Sequence, residues 1–171
     1  VNKWDLVEDK TDRTFDQYVA WIRREAPFLD FAPVVSISAK TGQRVDRVLE
    51  LAVDVWGERR KRIGTGELNR LLAEATARQV PPAVKNRRPK LFYATQAGIE
   101  PPTFIFFAND AELIHFSYKR YLENRIRDVL GFHGAPIRLV FRNRGAERPR
   151  RRRRAATQNG RARAGAGRRR A

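Results

Sequence analysis

Apolar positions along the chain recur with two periods, and the switches between them mark out the elements. Phe15, Tyr18, Val19 and Ile22 stand at i, i+3, i+4 and i+7, which predicts an amphipathic helix with Thr14 as its N-cap and Pro27 as its stop. Residues 33–37 form a short apolar run of strand character that ends in Ser38-Ala39-Lys40. Gly42 supplies a turn, and Val45, Val48, Leu49, Ala52, Val53 and Trp56 predict the core face of a second helix. Gly57, Gly64 and Gly66 around Arg59-Arg60-Lys61-Arg62 mark a domain boundary. Beyond it, Thr65 caps a helix running to about Gln79, with Leu68, Leu71, Leu72 and Ala75 on one face, and Pro81-Pro82 ends it.

Residues 91–97 and 104–108 read as two strands joined by a turn containing Gly98, Pro101 and Pro102. Residues 110–115 fit a short helical turn. Ser117 then caps a helix to Leu130, with Tyr118, Tyr121, Leu122, Ile126 and Val129 inward and Lys119, Arg120, Glu123 and Arg127 outward. Gly131-Phe132-His133-Gly134 follows, its first glycine read as a helix C-cap, and residues 137–141 make a last strand. The expected fold class is an α/β unit followed by an α+β unit of order α-β-β-α-α-β. The expected domains are residues 1–63 and 64–144, followed by a disordered tail at 145–171.

Charge sharpens this division. The chain has 171 residues and a net charge of +17, with 42% hydrophobic residues, enough for a core. Residues 142–171 hold 13 arginines against the single acid Glu147, and residues 59–90 hold 10 basic residues against two acids. The remainder is slightly acidic. A basic linker region and a basic tail point to a polyanionic partner, and Arg59, Arg60, Arg62, Lys85, Arg87, Arg88, Lys90, Lys119 and Arg120 are the candidate RNA contacts. There is no cysteine, which excludes disulfide partners and thiolate metal sites, and two histidines make poor material for zinc. No apolar run approaches the roughly 20 residues of a membrane span. No signal-peptide pattern opens the chain, so the expected location is cytoplasmic and without a membrane partner. Methionine is absent and Val1 reads as the end of a strand, so the chain is expected to be the carboxy-terminal fragment of a longer protein.

Two short stretches carry the chemistry. Asn2-Lys3-Trp4-Asp5 and Ser38-Ala39-Lys40 each follow extended residues, at the carboxyl ends of strands where open α/β sheets bind ligands. The two carboxylate oxygens of Asp5 can accept from guanine N1–H and its exocyclic amine, a donor pair adenine lacks. Each such bond is worth about 1.5–3 kcal/mol. Asn2 can bond the Hoogsteen edge and tie the two loops, the stems of Lys3 and Lys40 can cover the ring faces, and Ala39 N–H can donate to O6. The pairing of Asn-Lys-x-Asp with Ser-Ala-Lys resembles the guanine-specificity loops of the Ras-like GTPase superfamily. The resemblance implies that residues 1–63 close a GTPase domain binding GTP or GDP. No Gly-x-x-x-x-Gly-Lys-Ser/Thr occurs, so the phosphate and magnesium ligands are expected outside this chain, which should not hydrolyse GTP alone. Asp54-Val55-Trp56-Gly57 matches a magnesium-loop pattern only by coincidence, since it falls inside a helical pattern after the base loops.

The order α-β-β-α-α-β is similar to the type II KH fold, an RNA-binding module. The KH clamp is a Gly-x-x-Gly loop between adjacent helices; here that junction is His115-Phe116-Ser117, without glycine. Asn2-Lys3-Trp4-Asp5, residues 28–33 (FLDFAP), Glu67-Leu68-Asn69-Arg70, Pro101-Pro102-Thr103-Phe104 and residues 117–124 (SYKRYLEN) together resemble the bacterial Der (EngA) GTPase family. That resemblance implies two tandem GTPase domains followed by a KH-like domain, and a role in maturation of the large ribosomal subunit through its rRNA. The alternative is an RNA-binding module with a basic tail and no nucleotide switch. Truncation after Arg144 is expected to weaken RNA binding and make its salt dependence shallower, by roughly 0.7–0.9 in log–log slope for each phosphate no longer neutralised. An unchanged slope in a salt titration would make the tail a bystander.

Overall fold

The computed structural model describes residues 1–84 and 86–145. Lys85 and the expected disordered tail beyond Gly145 lie outside the described residues. Among the described residues four α-helices and three strands follow in order: α1 (Thr14–Glu25), α2 (Val45–Arg60), α3 (Thr65–Arg78), β1 (Leu91–Ile99), β2 (Pro102–Ala108), α4 (Phe116–Leu130) and β3 (Arg138–Asn143). β1 pairs antiparallel with β2, and β2 pairs parallel with β3, giving one mixed sheet of order β1-β2-β3.

Alternation along the strands decides which sheet face is covered. Ala94, Gln96, Phe104, Phe106 and Ala108 point to the buried side, where α3 brings Leu68, Leu71, Leu72 and Ala75 and α4 brings Tyr118, Leu122, Ile126 and Leu130. The Tyr118 hydroxyl donates to Gln79 O at 2.7 Å, and burial pushes its pKa up to about 12. Asn69 reads the free edge of β1 as a neighbouring strand would, accepting from Ala94 N–H at 2.8 Å and donating to Ala94 O at 3.0 Å. Buried Gln96 fastens the linker, accepting from Ile63 N–H at 2.7 Å and donating to Lys61 O at 2.9 Å.

Several expectations are corrected. Residues 110–115 form a turn, so the order is α-β-β-α-β. Asp110 Oδ1 accepts from Glu112 N–H and Asn143 Oδ1, on β3, from Ala111 N–H, and these two bonds outcompete a helical turn. The caps sit earlier than expected: Arg13 precedes α1, Gly64 precedes α3, and His115 caps α4 by accepting from Ser117 N–H. Thr14, Thr65 and Ser117 lie inside their helices, and Thr14 Oγ1 instead accepts from Thr11 N–H at 2.8 Å. Residues 33–37 are extended but form no strand of a described sheet. Val1 holds them, donating to Val35 O and accepting from Ile37 N–H, the spacing of one parallel bridge opposite Ser36.

The expected core face of α2 is not buried. Leu49 is 67% and Trp56 54% exposed, and Val48, Ala52 and Trp56 face Pro33 and Val35 across an open groove. Val129 on α4 is likewise exposed, and its expected inward place is taken by Leu130. Arg127, expected outward, is largely buried: its guanidinium donates to Phe132 O and Ala135 O, each at 2.9 Å, and to Glu123 at 3.1 Å.

That clamp shapes the turn between α4 and β3. Gly131 (φ 88°) caps the helix as expected, and Phe132, read as part of a loop, swings into the core against Phe104 at 5.5 Å. Its own N–H donates to the Glu58 carboxylate at the end of α2, while Lys61 Nζ reaches Leu130 O at 2.6 Å. A Cβ at Gly134 (φ 70°) would come within 2.5 Å of Val55, so the glycine lets the turn close against α2. Phe132→Ala is expected to cost about 3–5 kcal/mol in urea unfolding; a loss below about 1 kcal/mol would remove the turn from the core.

Candidate guanine-binding site

The first base loop begins with a left-handed residue, Lys3 (φ 63°), which throws the chain into a short 3₁₀ turn, Trp4–Leu6. Trp4 is the buried anchor, packed edge-on against Phe15 and Tyr18 of α1 at 6.0 and 5.3 Å. The backbone N–H of Trp4 donates to Ile37 O at 2.9 Å, which brings the second loop alongside. Asn2 Oδ1 then accepts twice, from Lys3 N–H at 2.7 Å and from Ala39 N–H at 3.1 Å. Both partners are donors, which fixes the orientation of the amide.

Asn2, Lys3, Asp5, Leu6, Ala39 and Lys40 thereby line one cavity of about 310 Å³. Ser38 is fully buried behind it and donates from Oγ to Asp5 Oδ1 at 2.5 Å, while Oγ accepts from Thr41 N–H at 3.2 Å. Asp5 Oδ2 has no protein donor among the described residues. The Ser38 hydrogen bond holds the Asp5 carboxyl below the ordinary carboxylate range; Asp5's own backbone N–H and the charges of Lys40 and Lys10 act in the same direction against burial. The site is thus a small cleft with an ionised acceptor at its floor, lysine stems at its walls and a backbone N–H at its side. The structure brings the six sequence-predicted base-reading residues together, with Ser38 acting through Asp5 instead of facing the cavity.

The candidate RNA contacts are not brought together. Arg60 lies over Trp56 at 4.7 Å and pairs with Glu100, beside the β1–β2 turn. Arg59 is half-buried on α2 and Arg62 is exposed in the linker. Arg87 pairs with Asp110 at 3.1 Å at the opposite end of the sheet, where Arg88 and Lys90 also lie. Lys119 and Arg120 line a cleft of about 680 Å³ between α4 and residues 27–31. The uncovered sheet face, which carries Tyr93, Phe107 and Arg142, was not anticipated from the sequence; the signal was the alternation of β1 and β2, which sets these residues opposite the core. No group of three or more metal-ligating side chains occurs among the described residues. No described helix is long and apolar enough to cross a membrane.

Because the Asp5 pKa is lowered on folding, its contribution to stability is present at neutral pH and is lost as pH falls through the folded value. A carbon-detected NMR titration should find the Asp5 carboxyl below the ordinary range, and Ser38→Ala should bring it back toward that range. An unmoved midpoint would show that the hydroxyl does not set it.

Comparison with known proteins places this geometry. Residues 62–142 match the model of the KH-domain-like domain of EngA bacterial GTPase enzymes, C-terminal. The chain is 54% identical over 144 residues to the GTPase Der of Desulforamulus reducens, covering 84% of this chain and 33% of that protein. It is 53% identical over 149 residues to the GTPase Der of Moorella thermoacetica, covering 86% and 33%. Against the GTPase Der of Caldanaerobacter subterraneus it is 51% identical over 147 residues, again covering 86% and 33%. The chain spans about a third of the length of these relatives. Over most of its length this chain is therefore similar to Der GTPases, and residues 62–142 are matched by the KH-like domain of EngA GTPases.

Proposed function

We propose that this chain supplies the base-recognition edge of a GTP/GDP-binding domain, joined to a KH-like domain that contacts rRNA in maturation of the large ribosomal subunit. The observation that carries the reading is the cavity between Asn2-Lys3-Trp4-Asp5 and Ser38-Ala39-Lys40, where an ionised carboxylate with one uncommitted oxygen faces an exposed backbone N–H. Guanine offers two adjacent donors and one acceptor on the same edge, which suits that arrangement. Adenine would set a ring nitrogen acceptor against the carboxylate and lose both bonds. The stems of Lys3 and Lys40 would cover the ring faces.

Ala39 N–H is occupied by Asn2 Oδ1, so bound guanine would take the donor over and release Asn2 toward the purine's Hoogsteen edge. The nucleotide's phosphates and magnesium would be held by residues outside this chain, and no catalytic residue for hydrolysis is assigned within it. The exposed apolar faces of α1 and α2 fit this reading, being surfaces that the remainder of a GTPase domain would cover. The bonds from Glu58 and Lys61 to the turn after α4 give α2 a direct hold on the KH-like domain, a route by which nucleotide state can bias RNA contact.

In the full-length protein, Asp5→Asn should weaken GTP binding by about a hundredfold and favour xanthosine triphosphate, since the amide turns one acceptor into a donor. Titration calorimetry with both nucleotides reads the switch. GTP affinity equal to wild type would leave the reading without its switch and favour an RNA-binding module alone.

A further inference from the structure

The sheet face that no described element covers carries a row of side chains that neither the core nor the residues of the N-terminal loops use. Tyr93, Phe107 and Arg142 lie side by side across the three strands, because the register pairs Tyr93 with Phe107 and Phe107 with Arg142. The two rings stack with 4.4 Å between centroids and 20° between planes, and Tyr93 is 42% exposed. The next row, Thr95, Ile105 and Val140, continues the face without a charge. Tyr93, Phe107, Arg142, Thr95 and Ile105 line a groove of about 730 Å³.

Cations gather at the aromatic end. Lys90 and Arg144 both stand over the Phe92 ring, at 5.8 and 4.9 Å from its centroid. Asp110, the acid beside them, is engaged by Arg87. Arg144 N–H donates to Ala108 O, so the chain leaves β3 at this same end, and the arginine run from Arg148 follows directly in sequence. Exposed stacked rings edged by guanidinium groups offer a π-surface for flat heterocycles and positive charge for phosphates. A duplex keeps its base faces stacked inside, so a single strand is the form that can use such a surface.

We propose that this open sheet face binds single-stranded RNA, with a base extending the Tyr93–Phe107 stack and phosphates held by Arg142, Lys90 and Arg144. The proposal rests on the KH-like domain being an RNA-contacting one, and it places the strand on the sheet instead of beside Lys119 and Arg120 on α4. The positive rim favours a nucleic acid over a protein partner.

The test measures binding of a fluorescent single-stranded RNA of about 12 nucleotides to the full chain across a salt series. Circular dichroism confirms that each variant is folded. Tyr93→Ala is expected to weaken binding about tenfold with no change in salt slope, and Tyr93→Phe to retain wild-type affinity. Arg142→Ala should reduce the slope by about 0.7. RNA carrying 5-bromouridine should crosslink to Tyr93 or Phe107, and should still do so in the Lys119→Ala, Arg120→Ala double variant. If wild type binds but Tyr93→Ala binds equally tightly and crosslinks map to α4, the sheet face is excluded while RNA contact by this domain stands. Equal competition by duplex RNA also overturns the proposal. So does a Tyr93→Ala variant that spares RNA binding but abolishes a protein contact. A wild-type chain that binds no RNA at any salt overturns the domain's RNA role and this proposal together.

Discussion

Asn2 Oδ1 is shared by two backbone donors, Lys3 N–H and Ala39 N–H, and that shared acceptor holds together two loops that come from distant parts of the chain. The geometry of the cavity between them follows from their being held side by side. Trp4 reaches Ile37 O, Val1 brackets Ser36 between two backbone bonds, and Ser38 arrives where its hydroxyl meets Asp5. The bond to Ser38 uses one carboxylate oxygen and leaves the other toward the cavity. It also holds the carboxyl's pKa below the ordinary carboxylate range. The small cavity is built here from short side chains, on a scaffold that buries little besides Trp4, Ser36 and Ser38.

The second half of the molecule is organised differently, around an apolar core of two helices on one sheet face. The two halves meet where α2 ends. Glu58 takes the Phe132 N–H, Lys61 takes Leu130 O, and Arg127 lies over Phe31 at 4.6 Å while tying the turn's carbonyls. Each contact pairs a charged side chain with a backbone group or a ring, so breaking one leaves a half-buried polar group without a partner. That gives the junction a definite geometry, and it leaves the far side of the sheet open.

How much of this could be read from the sequence varies with the range of the interactions. The periodicity of Leu68, Leu71, Leu72 and Ala75 specified α3 directly, because a helix facing one core repeats its apolar residues in register with its own turns. The two base loops were legible as motifs, yet the division of labour was not: that Ser38 serves Asp5 depends on a contact between residues far apart in sequence. Residues 110–115 lost their helix to Asx bonds, one of which comes from Asn143 on β3. The apolar stripe of α2 has the right period and no partner wide enough to bury it. Phe132, between Gly131 and His133, looked like loop and is fully buried, because it and Gly131 both take positive φ angles that turn the ring inward. Arg127 was misplaced for a related reason: its task is set by carbonyls that only the turn's conformation presents.

Similarity to known proteins and local geometry address different questions. The similarity to Der proteins covers most of this chain and about a third of theirs, and the geometry shows two loops held side by side around a small cavity and a KH-like domain fastened to the end of α2. The role given to the base loops turns on Asp5 reading guanine, and a crystal structure of the full-length protein with GDP decides it. Guanine N1 and N2 should lie within about 3.2 Å of the Asp5 carboxylate oxygens, with the base between the Lys3 and Lys40 stems. A base lying elsewhere, or an Asp5 carboxylate turned to solvent beside it, would contradict that role.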